Sequence, residues 1–197
     1  MSDKHHSSAH AGSLALFGSL RIMVIAALLS ALSIVLGKYL AINLSQTVRV
    51  SFENLSIILA GLLFGPVIGA IVGAVADLVG CVLVGYAINP IITAGAVLIG
   101  GISGGIGLIV RSRGAERLGT WRIFLPVFSA HIVGSMVVKT IGMMVYYGTP
   151  SEIFYVRVPL YLVIALLEGY LLMLLFRSKT FTGELNRMTI HQKKVSK

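Results

Sequence analysis

Charge is scarce in this sequence. Only 12% of its 197 residues are Asp, Glu, Lys or Arg, and 56% are hydrophobic. A soluble globular domain carries roughly 25% charged residues. Several continuous apolar runs approach the roughly 20 residues that a helix needs to cross a bilayer. Because these runs are continuous rather than alternating, the sequence predicts an all-α integral membrane protein.

Cysteine and the common catalytic motifs are also missing or rare. The single cysteine, Cys81, lies in an apolar run, so no disulfide can form within the chain. There is no Walker A motif, which excludes ATP hydrolysis by that route, and no HExxH or CxxC motif. His5, His6 and His10 lie in a polar tail and make only a weak metal site. We therefore expect no cofactor and no metal.

Acidic residues are few, and the basic residues are placed unevenly. Sixteen Lys and Arg against seven Asp and Glu leave a net charge of +9. A basic chain can bind nucleic acid, but these positions indicate a bilayer instead, because cations accumulate on the cytoplasmic side of membrane proteins. Twelve of the cations lie in the tails or near one set of span ends: Lys4, Arg21, Arg111, Arg113, Arg117, Arg122, Arg177, Lys179, Arg187, Lys193, Lys194 and Lys197.

The apolar runs predict a bundle of six membrane-spanning helices with both termini in the cytoplasm. The predicted segments are residues 14–37, 55–64, 67–84, 91–110, 123–146 and 157–176. The second segment is short for a crossing, and we expect a half-buried helix beneath an extended outer loop. The predicted organisation is a cytoplasmic tail (1–13), one six-helix membrane domain (14–176) and a basic cytoplasmic tail (177–197).

Small residues recur about one helical turn apart in two places, where they would let helices approach closely. The longer series is Gly61, Gly65, Gly69, Gly73 and Ala76. The shorter one, Ala27 and Ala31 in the first span, either docks a partner helix or packs internally.

Four cations remain when the inner ones are set aside: Lys38, Arg49, Lys139 and Arg157. They fall on the side that the positive-inside rule leaves poor in charge. Lys139 lies about two turns inside its span, where an unpaired charge costs roughly 2.5–3.5 kcal/mol. One interpretation is an outward-facing pocket for an anionic ligand, since arginine bonds both carboxylate oxygens. The alternative is internal pairing with acids: Glu53, Asp77, Glu152 or Glu168.

Asp77 and Glu168 are the acids at membrane depth. They either neutralise Lys139 or accept hydrogen bonds from the amino and ring N–H groups of a ligand. Proton coupling is a third possibility, but no ordered acid–histidine chain supports it, and we expect His131 to be a packed or hydrogen-bonded helix residue. Aromatic residues on the outer side either form an interfacial belt or stack on a planar ligand: Tyr86, Tyr146, Tyr147, Phe154, Tyr155 and Tyr161.

Three stretches resemble a known family. They are AALLSALSIVLGKYLAI in the first span, VRVSFENLSIILAGLLFGPVIGAIVGAVADLVG, and INPIITAGAVLIGGISGGI. Together they are similar to the S components of energy-coupling factor (ECF) vitamin transporters, and within these to the folate-specific type. The resemblance covers about residues 20 to 110 well and the rest by hydropathy. Lys38 stands where the folate type more often has arginine.

The resemblance implies a six-helix substrate-binding subunit, without catalytic activity, in a bacterial cell membrane. Such a subunit captures its vitamin at the outer face, beneath the loop between the first two spans. It works with a membrane coupling subunit and two cytoplasmic ATPases, and it is thought to topple in the bilayer to deliver substrate. Ala27 and Ala31 match the docking surface for the coupling subunit.

Folate would then be the ligand, with a glutamate tail carrying two carboxylates and a flat pterin carrying amide-like donors. Arg49, Lys139 and Arg157 would suit the carboxylates, and Asp77 or Asn89 the pterin. The complete set of expected ligand-binding residues is Lys38, Arg49, Ser51, Phe52, Asn54, Asp77, Tyr86, Asn89, Lys139, Arg157, Tyr161 and Glu168.

Three other functions remain open from the sequence. The first is an S component for another vitamin, such as pantothenate, whose single carboxylate needs fewer cations. The second is an intramembrane enzyme acting on lipid-linked substrates, with Asp77 and Glu168 as metal or base residues. The third is a structural membrane adaptor, which would leave the buried ionisable groups without a purpose.

Overall fold

The computed structural model of the protein describes residues 20–43, 49–112 and 120–178. The predicted tail 1–13, the first residues of the first predicted span and all but the first two residues of the tail 177–197 lie outside the described residues. The side chain of Arg49 also lies outside them.

Six helices and one short hairpin make up the described part of the chain. The helices are α1 (Leu20–Tyr39), α2 (Glu53–Phe64), α3 (Pro66–Val84), α4 (Pro90–Ser112), α5 (Trp121–Tyr147) and α6 (Ile153–Arg177). The strands β1 (Ile42–Asn43) and β2 (Arg49–Val50) pair antiparallel, with Ile42 opposite Val50. The all-helical class predicted from the sequence is therefore confirmed.

Five of these six helices are long and apolar enough to cross a membrane. The exception is α2, whose twelve residues extend about 18 Å at ~1.5 Å per residue. Large apolar side chains such as Leu28, Val82 and Val163 are more than half exposed on the long helices, at 64%, 67% and 53%. In an integral membrane protein such side chains are suited to contact lipid.

The short helix α2 lies in the centre of the bundle, which differs from the predicted half-buried position. Eight of its twelve residues are buried, and Ile58 and Ala60 are fully inaccessible. It contacts α1, α3, α4, α5 and α6. The physical reason is that its sequence, ENLSIILAGLLF, is apolar on all sides after the first turn, and such a helix is stable only when surrounded.

Two parts of α1 and α5 are wound as π-helix. In α1 this section is Val35–Tyr39, and in α5 it is His131–Val138, immediately before Lys139. Leu40 donates its N–H to the carbonyl of Val35, 3.0 Å away, which is the five-residue spacing of a π-turn. A π-turn shifts the side chains that follow it around the helix axis and is frequent at functional sites.

Glycines set how closely α2, α3 and α4 pack. Gly65 joins α2 to α3 at a φ of 91°, a backbone conformation that favours glycine, and Pro66 opens α3. Further along, a Cβ atom on Gly100 of α4 would overlap the backbone of Gly69 on α3. The two backbones are therefore in direct contact, as the glycine spacing predicts.

We expect Gly100→Ala to destabilise the protein, while Gly105→Ala on the same helix does not. An added methyl group at position 100 forces α3 and α4 apart, and such overpacking costs about 1–3 kcal/mol. Gly105 has open space around it, so alanine there gains only helix propensity, up to about 1 kcal/mol. Thermal unfolding of the two detergent-purified variants checks this. Equal midpoints would contradict the packing argument.

Candidate functional site

A cavity of about 650 Å³ opens at the end of the bundle where α1, α3 and α5 end and α2, α4 and α6 begin. Its wall is formed by Lys38, Asn43, Glu53, Asp77, Cys81, Gly85, Tyr86, Ala87, Asn89, Ile92, Lys139, Met143, Tyr147, Gly148, Thr149, Pro150, Arg157 and Tyr161. This volume lies within the range of small-molecule binding sites, roughly 300–1,000 Å³. A narrow extension of about 10 Å³ between Ser33, Glu53 and Asp77 has room for about one water molecule.

The structure brings seven of the predicted ligand-binding residues together on the wall of this cavity. They are Lys38, Asp77, Tyr86, Asn89, Lys139, Arg157 and Tyr161. They come from α1, from α3 and the turn that follows it, and from α5 and α6. Their role in binding a ligand stays a prediction.

Four other predicted residues do not line the cavity. Ser51 and Phe52 lie just before α2, and Asn54 lies in its first turn. Glu168 is fully buried between α5 and α6, 2.8 Å from His131 Nε2. The backbone of Arg49 pairs with Asn43, which does line the cavity.

Two side chains at the N-terminus of α2 accept hydrogen bonds from the ammonium group of Lys139. Its Nζ donates to Glu53 Oε1 at 2.7 Å and to Asn54 Oδ1 at 3.3 Å. The Asn54 amide nitrogen in turn donates to Ser135 Oγ at 3.2 Å. Lys139 is 5% exposed, so this pairing offsets the desolvation of a charge that would otherwise be isolated. Of the acids considered from the sequence, Lys139 pairs with Glu53.

Arg157 is a buried cation whose partners are neutral. Its Nε donates to Thr140 Oγ1 at 3.0 Å, its Nη2 to the Tyr161 hydroxyl at 3.2 Å and its Nη1 to Met143 Sδ. The guanidinium also lies 5.0 Å from the centre of the Tyr161 ring. Within the described residues no carboxylate lies within 4.0 Å of Arg157, which is 5% exposed. A positive charge on the cavity wall therefore has no anion beside it.

Lys38, from α1, supplies a second cation on the cavity wall and is half-buried. Its aliphatic stem crosses α3 at Gly80, where a Cβ atom would lie 2.9 Å from Lys38 Cε. Its Nζ is 4.0 Å from Cys81 Sγ and 5.8 Å from the centre of the Tyr86 ring. Within the part of the chain that the structure describes, no carboxylate pairs with Lys38.

Asp77 places an acid on the same wall. The Thr93 hydroxyl of α4 donates to Asp77 Oδ2 at 2.7 Å. The carboxylate is 8% exposed and has no cation within 4.0 Å among the described side chains. Its second oxygen, which no hydrogen bond from these residues occupies, is able to accept a hydrogen bond from a ligand N–H group.

Asn89 has a structural role in addition to lining the cavity. Its Oδ1 accepts from the N–H groups of Ile91 and Ile92, at 3.0 and 3.3 Å, and so caps α4. Its Nδ2 donates to the Gly142 carbonyl of α5 at 2.9 Å. A contact between this side chain and a ligand would compete with these bonds.

Several residues of the wall were not among the predicted binding residues. Glu53 had been considered only as a pairing partner, and Thr93 and Thr140 orient Asp77 and Arg157. Cys81, Met143, Tyr147 and Thr149 also line the cavity. The pair Asn89-Pro90 at the start of α4 could have indicated a helix cap from the sequence. No sequence pattern indicates that Thr93 bonds Asp77 or that Thr140 bonds Arg157. In the described segments, no three His, Cys, Asp or Glu side chains converge as metal ligands.

Comparisons with known proteins place this geometry in context. The family model described as "ECF transporter, substrate-specific component" matches residues 21–185. A solved structure described as "Crystal structure of FolT bound with folic acid" is similar in fold, with a TM-score of 0.64 at 20% sequence identity. The match covers 78% of this chain and 90% of that one. No curated protein sequence matches the chain significantly.

We expect Glu53→Ala to destabilise the protein strongly, because it leaves Lys139 in an apolar interior without its carboxylate. Breaking a buried ion pair from one side costs about 3–5 kcal/mol, and Lys139→Met in the same chain should recover part of that loss. Thermal unfolding of the two single variants and the double variant measures the coupling. Glu152→Ala, which removes an exposed acid, is the control. Additive effects of the two substitutions would refute the pairing.

Proposed function

We propose that this chain, which belongs to the family of ECF transporter substrate-specific components, binds folate in the cavity between α1, α3, α5 and α6. The family makes it a membrane-embedded transport subunit rather than an enzyme, and its five long apolar helices agree with that. The intramembrane-enzyme alternative is therefore not retained.

Arg157 is the observation that carries this proposal. Burying a guanidinium among neutral partners costs desolvation free energy, and a bound anion would offset part of that cost. Nη1 and Nη2 donate to the sulfur of Met143 and the hydroxyl of Tyr161, and all three residues line the cavity. A ligand carboxylate can accept from both nitrogens, which is the pairing that arginine favours.

The remaining groups of the cavity match the rest of a folate molecule. Lys38 offers a second cation without a carboxylate beside it in the described residues, which suits a ligand with two carboxylates. Asp77 offers an acceptor to the amino and ring N–H groups of a pterin. Tyr86, Tyr147 and Tyr161 supply aromatic faces on which a flat ring can stack. The similarity in fold to a FolT structure determined with folic acid supports the same choice.

In the membrane, we infer six helices that place the cavity at the outer face and both termini in the cytoplasm. The basic residues of the tails and of the loop after α4 support this orientation. Inside the bundle, the short helix α2 returns the chain from the cavity end, where α1 ends, toward the opposite end, where α3 begins, so it completes the even number of crossings. The hairpin β1–β2, at the cavity mouth through Asn43, belongs to the loop beneath which the ligand enters.

As an ECF substrate-specific component, the chain would deliver folate together with a membrane coupling subunit and two cytoplasmic ATPases. Ala27 and Ala31 are both exposed on the outside of α1, which supports their use as a docking face. Their small side chains would let a helix of the coupling subunit approach closely.

A vitamin with a single carboxylate, such as pantothenate, is the second candidate. The pairing of Lys139 with Glu53 favours it, because that pairing already satisfies one of the cations expected to bind the ligand. Mass spectrometry of the small molecule that co-purifies with the protein separates the two candidates.

We expect Arg157→Ala to weaken folate binding about ten- to hundredfold, since a hydrogen-bonded ion pair contributes about 1.5–3 kcal/mol. Arg157→Lys should lose less, because it keeps the charge but not the paired donors. Isothermal titration of the purified protein with folate measures both. Arg177→Ala, at the far end of α6 and exposed, is the matched control and should bind as the wild type does. Unchanged affinity in Arg157→Ala would remove the carboxylate contact.

We also expect folate to protect Cys81 from alkylation by N-ethylmaleimide. Cys81 is the only cysteine of the chain and lines the cavity, so any label reports on this site alone. Mass spectrometry after timed labelling, with and without saturating folate, measures the protection. Cys81→Ser is the unlabelled control. Equal labelling rates would place the ligand elsewhere.

A further inference from the structure

A second polar cluster lies deeper in the bundle, below the cavity. His131 of α5 and Glu168 of α6 are both 0% exposed, with Nε2 and Oε2 2.8 Å apart. His131 Nδ1 and Glu168 Oε1 have no hydrogen-bond partner among the described residues. This pair plays no part in the ligand contacts proposed above. From this geometry we propose that His131 and Glu168 form a buried proton-binding site coupled to occupancy of the cavity.

The chemistry of the pair allows two protonation states. With one proton between the facing atoms, a neutral imidazole donates Nε2–H to a carboxylate, and the pair carries one negative charge. With a second proton, on Nδ1, the pair is neutral, as imidazolium–carboxylate or as imidazole–carboxylic acid. Taking up one proton therefore changes the charge of the buried pair by one unit. The atoms available to that proton are His131 Nδ1 and Glu168 Oε1, which have no hydrogen-bond partner among the described residues.

A short chain of contacts joins this pair to the cavity. The His131 ring lies 6.2 Å from the ring of Tyr161, centre to centre. The Tyr161 hydroxyl accepts from Arg157 Nη2 at 3.2 Å, and both residues line the cavity. Tyr161 thus contacts both the buried pair and the guanidinium that would hold a ligand carboxylate.

The other charged groups around the pair do not cancel this effect. From α2 and α5, Glu53 and Lys139 carry opposite charges 2.7 Å apart, so their effects on Glu168 oppose each other. From α6, Tyr161 lies against the His131 ring, and Arg157 is bonded to the hydroxyl of Tyr161. Between Pro90 and Val110, α4 has no ionisable side chain. A negative His131–Glu168 pair therefore opposes an anion at Arg157, whereas a neutral pair does not.

This inference rests on the proposed function, because it requires an anionic ligand at Arg157. By reciprocity, if the neutral pair binds the anion better, the bound anion also raises the affinity of the pair for its proton. Ligand affinity should then rise as pH falls, and binding should take up part of a proton.

The test compares folate affinity at about pH 7.5 and about pH 6, an interval in which both carboxylates of folate stay ionised. For the wild type we expect about five- to tenfold tighter binding at the lower pH, at the low end of typical coupling between sites. Glu168→Gln removes the negative charge and should bind with nearly equal affinity at both pH values, near the wild-type value at low pH. His131→Gln keeps the carboxylate but removes the base that takes the second proton, so it should also bind nearly equally at both pH values, near the wild-type value at high pH. Glu152→Gln, the same chemical change at an exposed position, should keep the wild-type ratio.

Three results would decide against the proposal. The proposal is overturned if the ratio of the folate affinities at the two pH values is the same in the wild type and both variants. It is also overturned if each variant loses affinity by the same factor at both pH values, because a purely structural role predicts that result. Titration of the wild type in two buffers of different ionisation enthalpy must also show proton uptake, and zero uptake overturns it even if neither variant folds. No folate binding by the wild type at either pH would instead refute the proposed function.

Discussion

Inside an apolar bundle the ammonium group of Lys139 needs acceptors, and the N-terminus of α2 supplies both of them. Glu53 accepts at 2.7 Å and Asn54 at 3.3 Å. The helix that supplies these acceptors is short, apolar on all sides and enclosed by the other five. The hydrogen bonds of Lys139 thus join the central helix α2 to α5. Glu53 and Lys139 also form part of the cavity wall.

The charge pattern of the cavity follows from that junction. Because Lys139 is already neutralised, the positive charge that remains on the wall comes from Arg157 and Lys38, which lie beside hydroxyl, sulfur and aromatic groups. Asp77 lies on the same wall with a threonine hydroxyl as its partner. A wall that combines free cations with one free acceptor is suited to a ligand that has carboxylates at one end and N–H groups at the other. This arrangement is the reason to prefer folate over a ligand of uniform charge.

Much of this could be predicted from the sequence, because bilayer physics leaves few choices. The positive-inside rule isolated Lys38, Arg49, Lys139 and Arg157; three of them line one cavity, and the side chain of Arg49 lies outside the described residues. The glycine series predicted close approach of neighbouring helices, and at Gly69 the backbones of both α2 and α4 lie close to α3. What could not be predicted depends on contacts between distant residues: that Lys139 pairs with Glu53, 86 residues away, and Glu168 with His131, 37 residues away. The π-helical sections are equally invisible, because no residue pattern specifies the turn that shifts Lys139 relative to Trp121.

Two kinds of helix contact surround the cavity. On one side, α3 and α4 meet backbone to backbone at glycines such as Gly69 and Gly100, where there is no side chain to adopt another rotamer. On the other side, α5 and α6 meet through polar pairs, Arg157 with Thr140 and His131 with Glu168, whose donors and acceptors can exchange partners. One half therefore supplies a fixed wall with Asp77 and Cys81. The other half supplies the groups whose bonding and protonation can respond to a ligand.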